Sequence, residues 1–443
     1  MEINKNDEYV VDIIDYGANG EGIAKIDGYT IFVIGALKGE KCKIHIIKKL
    51  TSHAFAKIVE IINKSNKRVD SDCRTFKRCG GCTLRHITYK ETLEIKRQNV
   101  QNLVNKMLKN KIQVQETIGM DNPFNYRNKA IYPVSKEKYV GIFANRSHDI
   151  IQVEECKIQT KISQEIAKYI VENWDDSIYD EKTGKGLLRN IMIREGFATN
   201  EIMCVIVQNG RKMYNAEKLI KKFPNIKTVI INVNTKNTNV VLSNENIVIY
   251  GDGYIEDKLG DYTFKISPNS FYQVNPIQTE KMYNLSVEKA KLKKEDIVCD
   301  LYCGIGTIGI FASKFVKKVY GIEIVEQAII DAKGNAKVNN IDNIEFSVGD
   351  VETAFSNLLQ KGIRPNAVFV DPPRKGLDNK TIENLCSLKL EKLIYISCNP
   401  ATLMRDLQKL EDVYDIKFIV PIDNFCYTTH VECVAVLQLK QDR

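Results

Sequence analysis

The chain has 443 residues, 44% hydrophobic and 27% charged, with a formal net charge of +8. That length suits roughly two to four domains, and the balance excludes disordered and fibrous classes. No apolar run approaches the ~18 residues of a membrane helix, so no membrane partner is expected. The amino-terminal stretch Met1–Glu8 lacks the basic-then-apolar build of a signal peptide. A cytoplasmic protein is expected, with no obligate protein partner and a monomeric state. Twelve cysteines in a reducing compartment point to metal ligation or thiol chemistry before disulfides.

Residues 9–62 read as short strands between glycine turns, a spacing that predicts a small closed barrel. Lys41, Lys43, Lys48, Lys49 and Lys57 lie along it. They either solvate one face or form a track for single-stranded nucleic acid. The stretch resembles a TRAM domain, an OB-like RNA-binding module appended to RNA-modifying enzymes. Next, Cys73, Cys79 and Cys82 enclose Gly80 and Gly81, which lets the chain fold around an ion. Cys156 is the choice for a fourth ligand, and the spacing suits zinc or an iron–sulfur cluster equally. Arg74, Lys77, Arg78 and Arg85 surround this knuckle and suggest a phosphate-facing surface.

A helix is predicted over 89–109, and residues 119–266 read as mostly β, interrupted by a helix over 161–174. The Asn-rich stretch 232–246 reads as hairpin turns. Arg189 and Arg194 alternate with apolar residues, a pattern that predicts a basic or a merely wet strand face. Ser267–Pro276 then brings two adjacent aromatics, Phe271 and Tyr272, and three amides, Asn269, Gln273 and Asn275, into one loop before a predicted helix over 278–290. An extruded base needs such an aromatic face and such amides.

From Ile297 onward, strands and helices alternate, which implies right-handed crossovers and a mostly parallel sheet with ligands at its carboxyl edge. Ile297–Gly309 reads as strand, glycine turn and helix. Gly304, Gly306 and Gly309 spell G-x-G-x-x-G, and Glu323 ends the next apolar run, where an acid holds a ribose hydroxyl. Alone, this fits a nicotinamide dinucleotide or S-adenosylmethionine. Asp371 ends another buried strand and is fixed by Pro372 and Pro373. Cys398 ends a third, before a helix over 402–410 whose amino terminus favours an ionised thiol. Glu432 precedes the last strand, over 433–439, and is a candidate base. His430 shares its face as a second candidate or a turn residue.

A dehydrogenase has no need of a strand-end cysteine with a distant glutamate. Methylation of a pyrimidine at C5 does need them. A thiolate adds to C6, C5 becomes nucleophilic and takes a methyl group from a sulfonium, and a base removes the C5 proton.

Nearly the whole chain resembles the RNA uracil-C5 methyltransferase family, in its iron–sulfur, TRAM-containing branch that modifies bacterial 23S ribosomal RNA. The resemblance rests on the barrel, the cysteine knuckle, S-P-x-x-F-x-Q-x-N, L-Y-C-G-x-G, D-P-P-R, S-C-N-P and H-V-E. It implies an α/β fold with a Rossmann-like S-adenosylmethionine methyltransferase domain over 267–443. It also implies a barrel over 1–62 and a mostly-β cysteine-bearing domain over 63–266, whose helix near 89–110 packs on the catalytic domain. Cys398 would be the nucleophile and Glu432 the base. Gln273, Tyr302, Gly304, Gly306, Thr307, Glu323, Asp350 and Asp371 would hold S-adenosylmethionine, Thr307 standing where relatives can carry Asn. Phe271 would stack on the flipped uracil. Cys73, Cys79, Cys82 and Cys156 would ligate a [4Fe-4S] cluster for structure and RNA binding rather than electron transfer. The rivals are a tRNA uracil-C5 methyltransferase, a branch that usually lacks barrel and knuckle, and a catalytically silent RNA-binding assembly factor.

Overall fold

The computed structural model describes residues 3–145 and 147–441. Strands Glu8–Asp12, Asp15–Tyr16, Gly22–Ile26, Tyr29–Ile34, Lys41–Lys49 and His53–Asn63 form one six-stranded sheet. Its two edge strands, Glu8–Asp12 and Asp15–Tyr16, are successive parts of a single extended segment. The first pairs with Lys41–Lys49 and the second with Gly22–Ile26, so the sheet closes on itself. At the seam the Ile13 N–H donates to Glu40 O and the Ile14 N–H to Ile23 O. Side chains alternate across the wall with the period of a strand. Val11, Ala24, Ile31, Val33, Cys42, Ile44, Ile46, Ala54 and Ala56 fill the interior.

A second, five-stranded sheet has the order Asn246–Tyr250, Ile226–Val233, Ile202–Gln208, Leu188–Glu195, Lys129–Pro133. Helices Lys161–Glu172 and Glu217–Lys222 pack on it. The Asn-rich stretch is the loop of its Ile226–Val233/Asn246–Tyr250 hairpin. Buried Asn232 Nδ2 donates to Ser243 O and Asn234 Nδ2 to Val241 O, so these amides scaffold the loop from within. The expected basic or wet face of Leu188–Glu195 is not found. Arg189 and Arg194 are both buried, because each guanidinium is consumed by backbone carbonyls. Arg189 donates to Asn234 O and Lys236 O, and Arg194 to Ser267 O and Ser270 O.

The third sheet has seven strands: Ile297–Leu301, Lys318–Glu323, Ile344–Val348, Ala367–Val370, Lys392–Ser397, Tyr414–Ile422 and Glu432–Leu439. Numbered one to seven along the chain, they lie in the order 3-2-1-4-5-7-6. The first five are parallel, and Glu432–Leu439 enters antiparallel between Lys392–Ser397 and Tyr414–Ile422. Strand order reverses between Ile297–Leu301 and Ala367–Val370, which opens a crevice at their carboxyl ends. The helices Pro276–Ala290 and Pro400–Leu410 each begin two residues earlier than the sequence pattern suggests. In both, proline occupies the first turn, where its missing N–H costs nothing. The preceding Asn275 and Asn399 side chains accept from Gln278 N and Ala401 N.

Helix Tyr89–Met107 lies on this third sheet. Its Val100 and Val104 share a core with Leu403, Leu407 and Leu410. Buried Lys96 pairs with buried Asp423 at 2.5 Å and also donates to Phe425 O at 3.0 Å. Tyr89 OH donates to the second Asp423 oxygen at 2.6 Å. Among the described residues, no helix is long and apolar enough to cross a membrane.

Candidate active site

Strand Ile297–Leu301 ends in a turn that demands unusual backbone. Tyr302 adopts φ 65° and Gly306 φ 82°, and a Cβ on Gly306 would lie 2.7 Å from the Phe346 ring. Glycine is therefore required at 306 by both backbone and space. Below the turn, Asp300 Oδ2 accepts from Gly309 N at 2.7 Å, and burial raises this carboxyl to about 8. Glu323 joins turn to neighbouring strand: Oε2 accepts from Gly304 N at 3.2 Å and Oε1 from Val325 N at 3.0 Å. Thr307 Oγ1 donates to Tyr283 OH at 3.3 Å. Tyr302 OH donates to Asp378 Oδ2 at 3.4 Å. Asp350 Oδ1 caps helix Val351–Gln360 by accepting from Glu352 N at 3.0 Å.

The loop before helix Pro276–Ala290 is held from two sides. Arg194 grips its Ser267 and Ser270 carbonyls, and Ser270 Oγ donates to Asp331 Oδ2 at 2.6 Å. This leaves Phe271 71% exposed. Gln273 Oε1 accepts from Asn424 Nδ2 at 3.4 Å.

These elements converge on one cavity of about 550 Å³. Cys398, Glu432, Phe271, Gln273, Tyr302, Gly304, Thr307, Glu323, Asp350 and Asp371 all line it. Gly306 is absent from the lining and lies buried beneath it. His430 is at the mouth. Glu432 is 3% exposed. Burial, reinforced by Asp371, lifts its carboxyl to about 8, and burial lifts Asp371 to about 7. Cys398 is half-buried. The expectation that its helix terminus ionises the thiol is overturned. Burial and then the Glu432 and Asp371 carboxyls raise it, and Arg374 opposes them only in part. Loss of hydration, reinforced by two nearby acids, outweighs the partial charge of a helix end. A cation placed between these carboxylates would reverse the balance for all three groups.

Three lining residues escape sequence reading, Tyr283, Arg374 and Phe425, as does Asn424, which acts behind the wall through Gln273. A signal existed for the last two. Like Asp371 and Cys398, they directly follow a buried strand ending at the same sheet edge.

Cys73, Cys79, Cys82 and Cys156 line a second cavity, of about 460 Å³. Among the described residues, no group of three or more His, Cys, Asp or Glu side chains is gathered to hold a metal ion. The wall is cationic: Arg85, Arg127 and Lys129 line it, and Arg85 Nη1 and Arg127 Nε are buried without a partner. The Gly81 N–H donates to Cys79 Sγ at 3.2 Å. The residues present fit an anionic cluster held by thiolates.

The family described as tRNA (Uracil-5-)-methyltransferase matches residues 88–440, and the TRAM domain matches residues 4–59. The chain belongs to the tRNA (uracil-5-)-methyltransferase family. An RNA methyltransferase of Clostridium tetani is 44% identical over 100% of this chain and 99% of its own length. One of Caldanaerobacter subterraneus is 42% identical over 99% of each chain. Among solved structures, the tRNA (uracil-54, C5)-methyltransferase of Pyrococcus abyssi, in complex with S-adenosyl-L-homocysteine, matches with a TM-score of 0.79 and 27% identity. The match covers 97% of this chain and 100% of that one. This is a family of S-adenosylmethionine-dependent RNA uracil methyltransferases, and the barrel is its TRAM RNA-binding domain.

Proposed function

We propose that the protein transfers a methyl group from S-adenosylmethionine to C5 of a uridine in 23S ribosomal RNA through a covalent adduct on Cys398. The observation that carries this reading is the single cavity shared by a strand-end thiol, a buried glutamate and the acids suited to a nucleoside ligand. In it, Cys398 Sγ bonds to C6 of the uracil while its proton leaves to solvent or a carboxylate. Electron density moves to C5, which takes the methyl group. Glu432 removes the C5 proton, and the electron pair left behind expels the Cys398 thiolate from C6. Glu323 holds the donor's ribose, Asp350 lies by its adenine, and Phe271 stacks on the extruded base. Tyr302, Gln273, Thr307 and Asp371 complete the donor's seat, and the turn at Gly304 and Gly306 brings backbone close to it.

Cys73, Cys79, Cys82 and Cys156 would ligate a [4Fe-4S] cluster, which supplies cross-linking and charge rather than redox chemistry. This cluster and the barrel favour the ribosomal substrate by resemblance. A tRNA uridine is the second reading, favoured by the Pyrococcus enzyme. Because that match extends over 97% of this chain, a barrel does not by itself exclude a tRNA substrate. The test is mass mapping of 5-methyluridine in 23S ribosomal RNA and in tRNA, from cells with and without the gene. Loss of a ribosomal site supports the proposal, and loss of a tRNA site alone replaces it with the second reading.

A further inference from the structure

A third cavity, of about 520 Å³, lies against the barrel and shares Cys398, Arg374 and His430 with the active-site cavity. The two cavities therefore adjoin at the thiol. The third cavity's far wall is built by parts of the chain that the transfer reaction does not use. Gly17, Asn19 and Phe32 come from the barrel, and Asn99 and Asn102 from helix Tyr89–Met107. No carboxylate lines it. The groups on offer are an aromatic face, several amides and the Arg374 guanidinium, which together suit a base and its phosphate.

We propose that this cavity seats one unpaired nucleotide adjoining the target uridine. The proposal rests on the transfer reading, which fills the first cavity with donor and extruded base. The strand must then leave the thiol past Arg374, and this is the space that begins there. The barrel supplies the continuation. Phe32 stacks on Phe55 with centroids 5.6 Å apart and meets His53 edge-on at 5.4 Å. All three alternate with the buried Ile31, Val33, Ala54 and Ala56, so their rings stand on the outer wall. The turn at Gly17 hugs the Phe32 ring, which a Cβ there would approach to 3.1 Å, and this fixes the ring at the cavity. Amides from two separate elements give the seat a means to read base edges, so the neighbour as well as the uridine would be selected.

The test uses a short RNA carrying the mapped uridine, with each neighbouring nucleotide made abasic in turn. Noncovalent binding and methyl transfer are measured separately, on wild type, Phe32→Ala and Asn99→Ala/Asn102→Ala. One abasic position is expected to weaken wild-type binding by about tenfold, the scale of one stacked base. In either variant that same position should cost nothing further, while the other positions keep their effects. Equal abasic penalties in wild type and in both variants at every position overturn the seat. If no uridine maps, the transfer reading fails on its own. The variants are then compared for retention of bulk 23S ribosomal RNA and bulk tRNA: weakened retention sustains the seat and unchanged affinity overturns it.

Discussion

Cys398 and Glu432 are expected to fail in different ways. Cys398→Ala should abolish methyl transfer and adduct formation yet still bind S-adenosyl-L-homocysteine by calorimetry. Unchanged product would remove the thiol from the reaction. Glu432→Gln should accumulate a protein–RNA adduct resistant to denaturing gels, because addition proceeds and elimination stalls. Normal turnover by that variant would remove Glu432 from the base role. The sign of the pH dependence follows from the shifts. Glu432 sits near 8 and the Cys398 thiol is raised, and both act only when deprotonated. So kcat/KM, which reports the free enzyme, should climb with pH through about 8 and not fall with it. A profile flat below that point would contradict the buried carboxyl. That both residues stand at the cavity was legible in the sequence, because each lies beside a strand end in a short, specific motif. The ionisation of Cys398 was not legible, since Asp371 and Glu432 reach it only through the folded sheet. Arg194 was misjudged for a related reason: an arginine in an apolar strand looks exposed until its carbonyl partners, more than 70 residues later, are known.

At the scale of elements, the segment Asp423–Glu432 is held by two remote pieces of chain. Lys96 and Tyr89 fix Asp423 from the amino-terminal helix. The Thr83 and Leu84 N–H groups donate to Tyr427 O from the cysteine knuckle, and Arg85 stacks over the Tyr427 ring at 4.6 Å. Breaking a buried ion pair from one side costs about 3–5 kcal/mol, because the remaining charge stays desolvated. Lys96→Met should therefore lower the thermal midpoint and also reduce kcat, as Glu432 follows this segment. A melt unchanged from wild type would show that the Lys96–Asp423 contact does not hold this segment. Most elements were visible from their periods and their Asn-Pro starts. That helix Tyr89–Met107 serves the catalytic sheet was given by resemblance alone, since no local pattern encodes which core an amphipathic face will join.

For the whole molecule, the cysteine cavity predicts its own content. Protein purified without air should be brown and contain iron near four atoms per chain, the number in one [4Fe-4S] cluster. Stoichiometric zinc without iron would reject the cluster and leave a zinc knuckle. Barrel closure shows what sequence hides at this scale. Strand spacing predicts a small barrel, but only the structure reveals that one extended segment supplies both rims. The order of the large sheet is likewise a long-range fact, although the alternation of strands and helices announced its class.

The carboxylates flanking Cys398 have a further meaning for the resting protein. A sulfur that keeps its hydrogen reacts slowly with peroxide, alkylating agents and stray disulfides. Arrival of the positively charged methyl donor among those acids would awaken the sulfur only when there is a group to hand on. The nucleophile is thus guarded by its burial and by the same acid groups that welcome its partner, and idle enzyme would survive oxidants that an exposed, ionised cysteine would not.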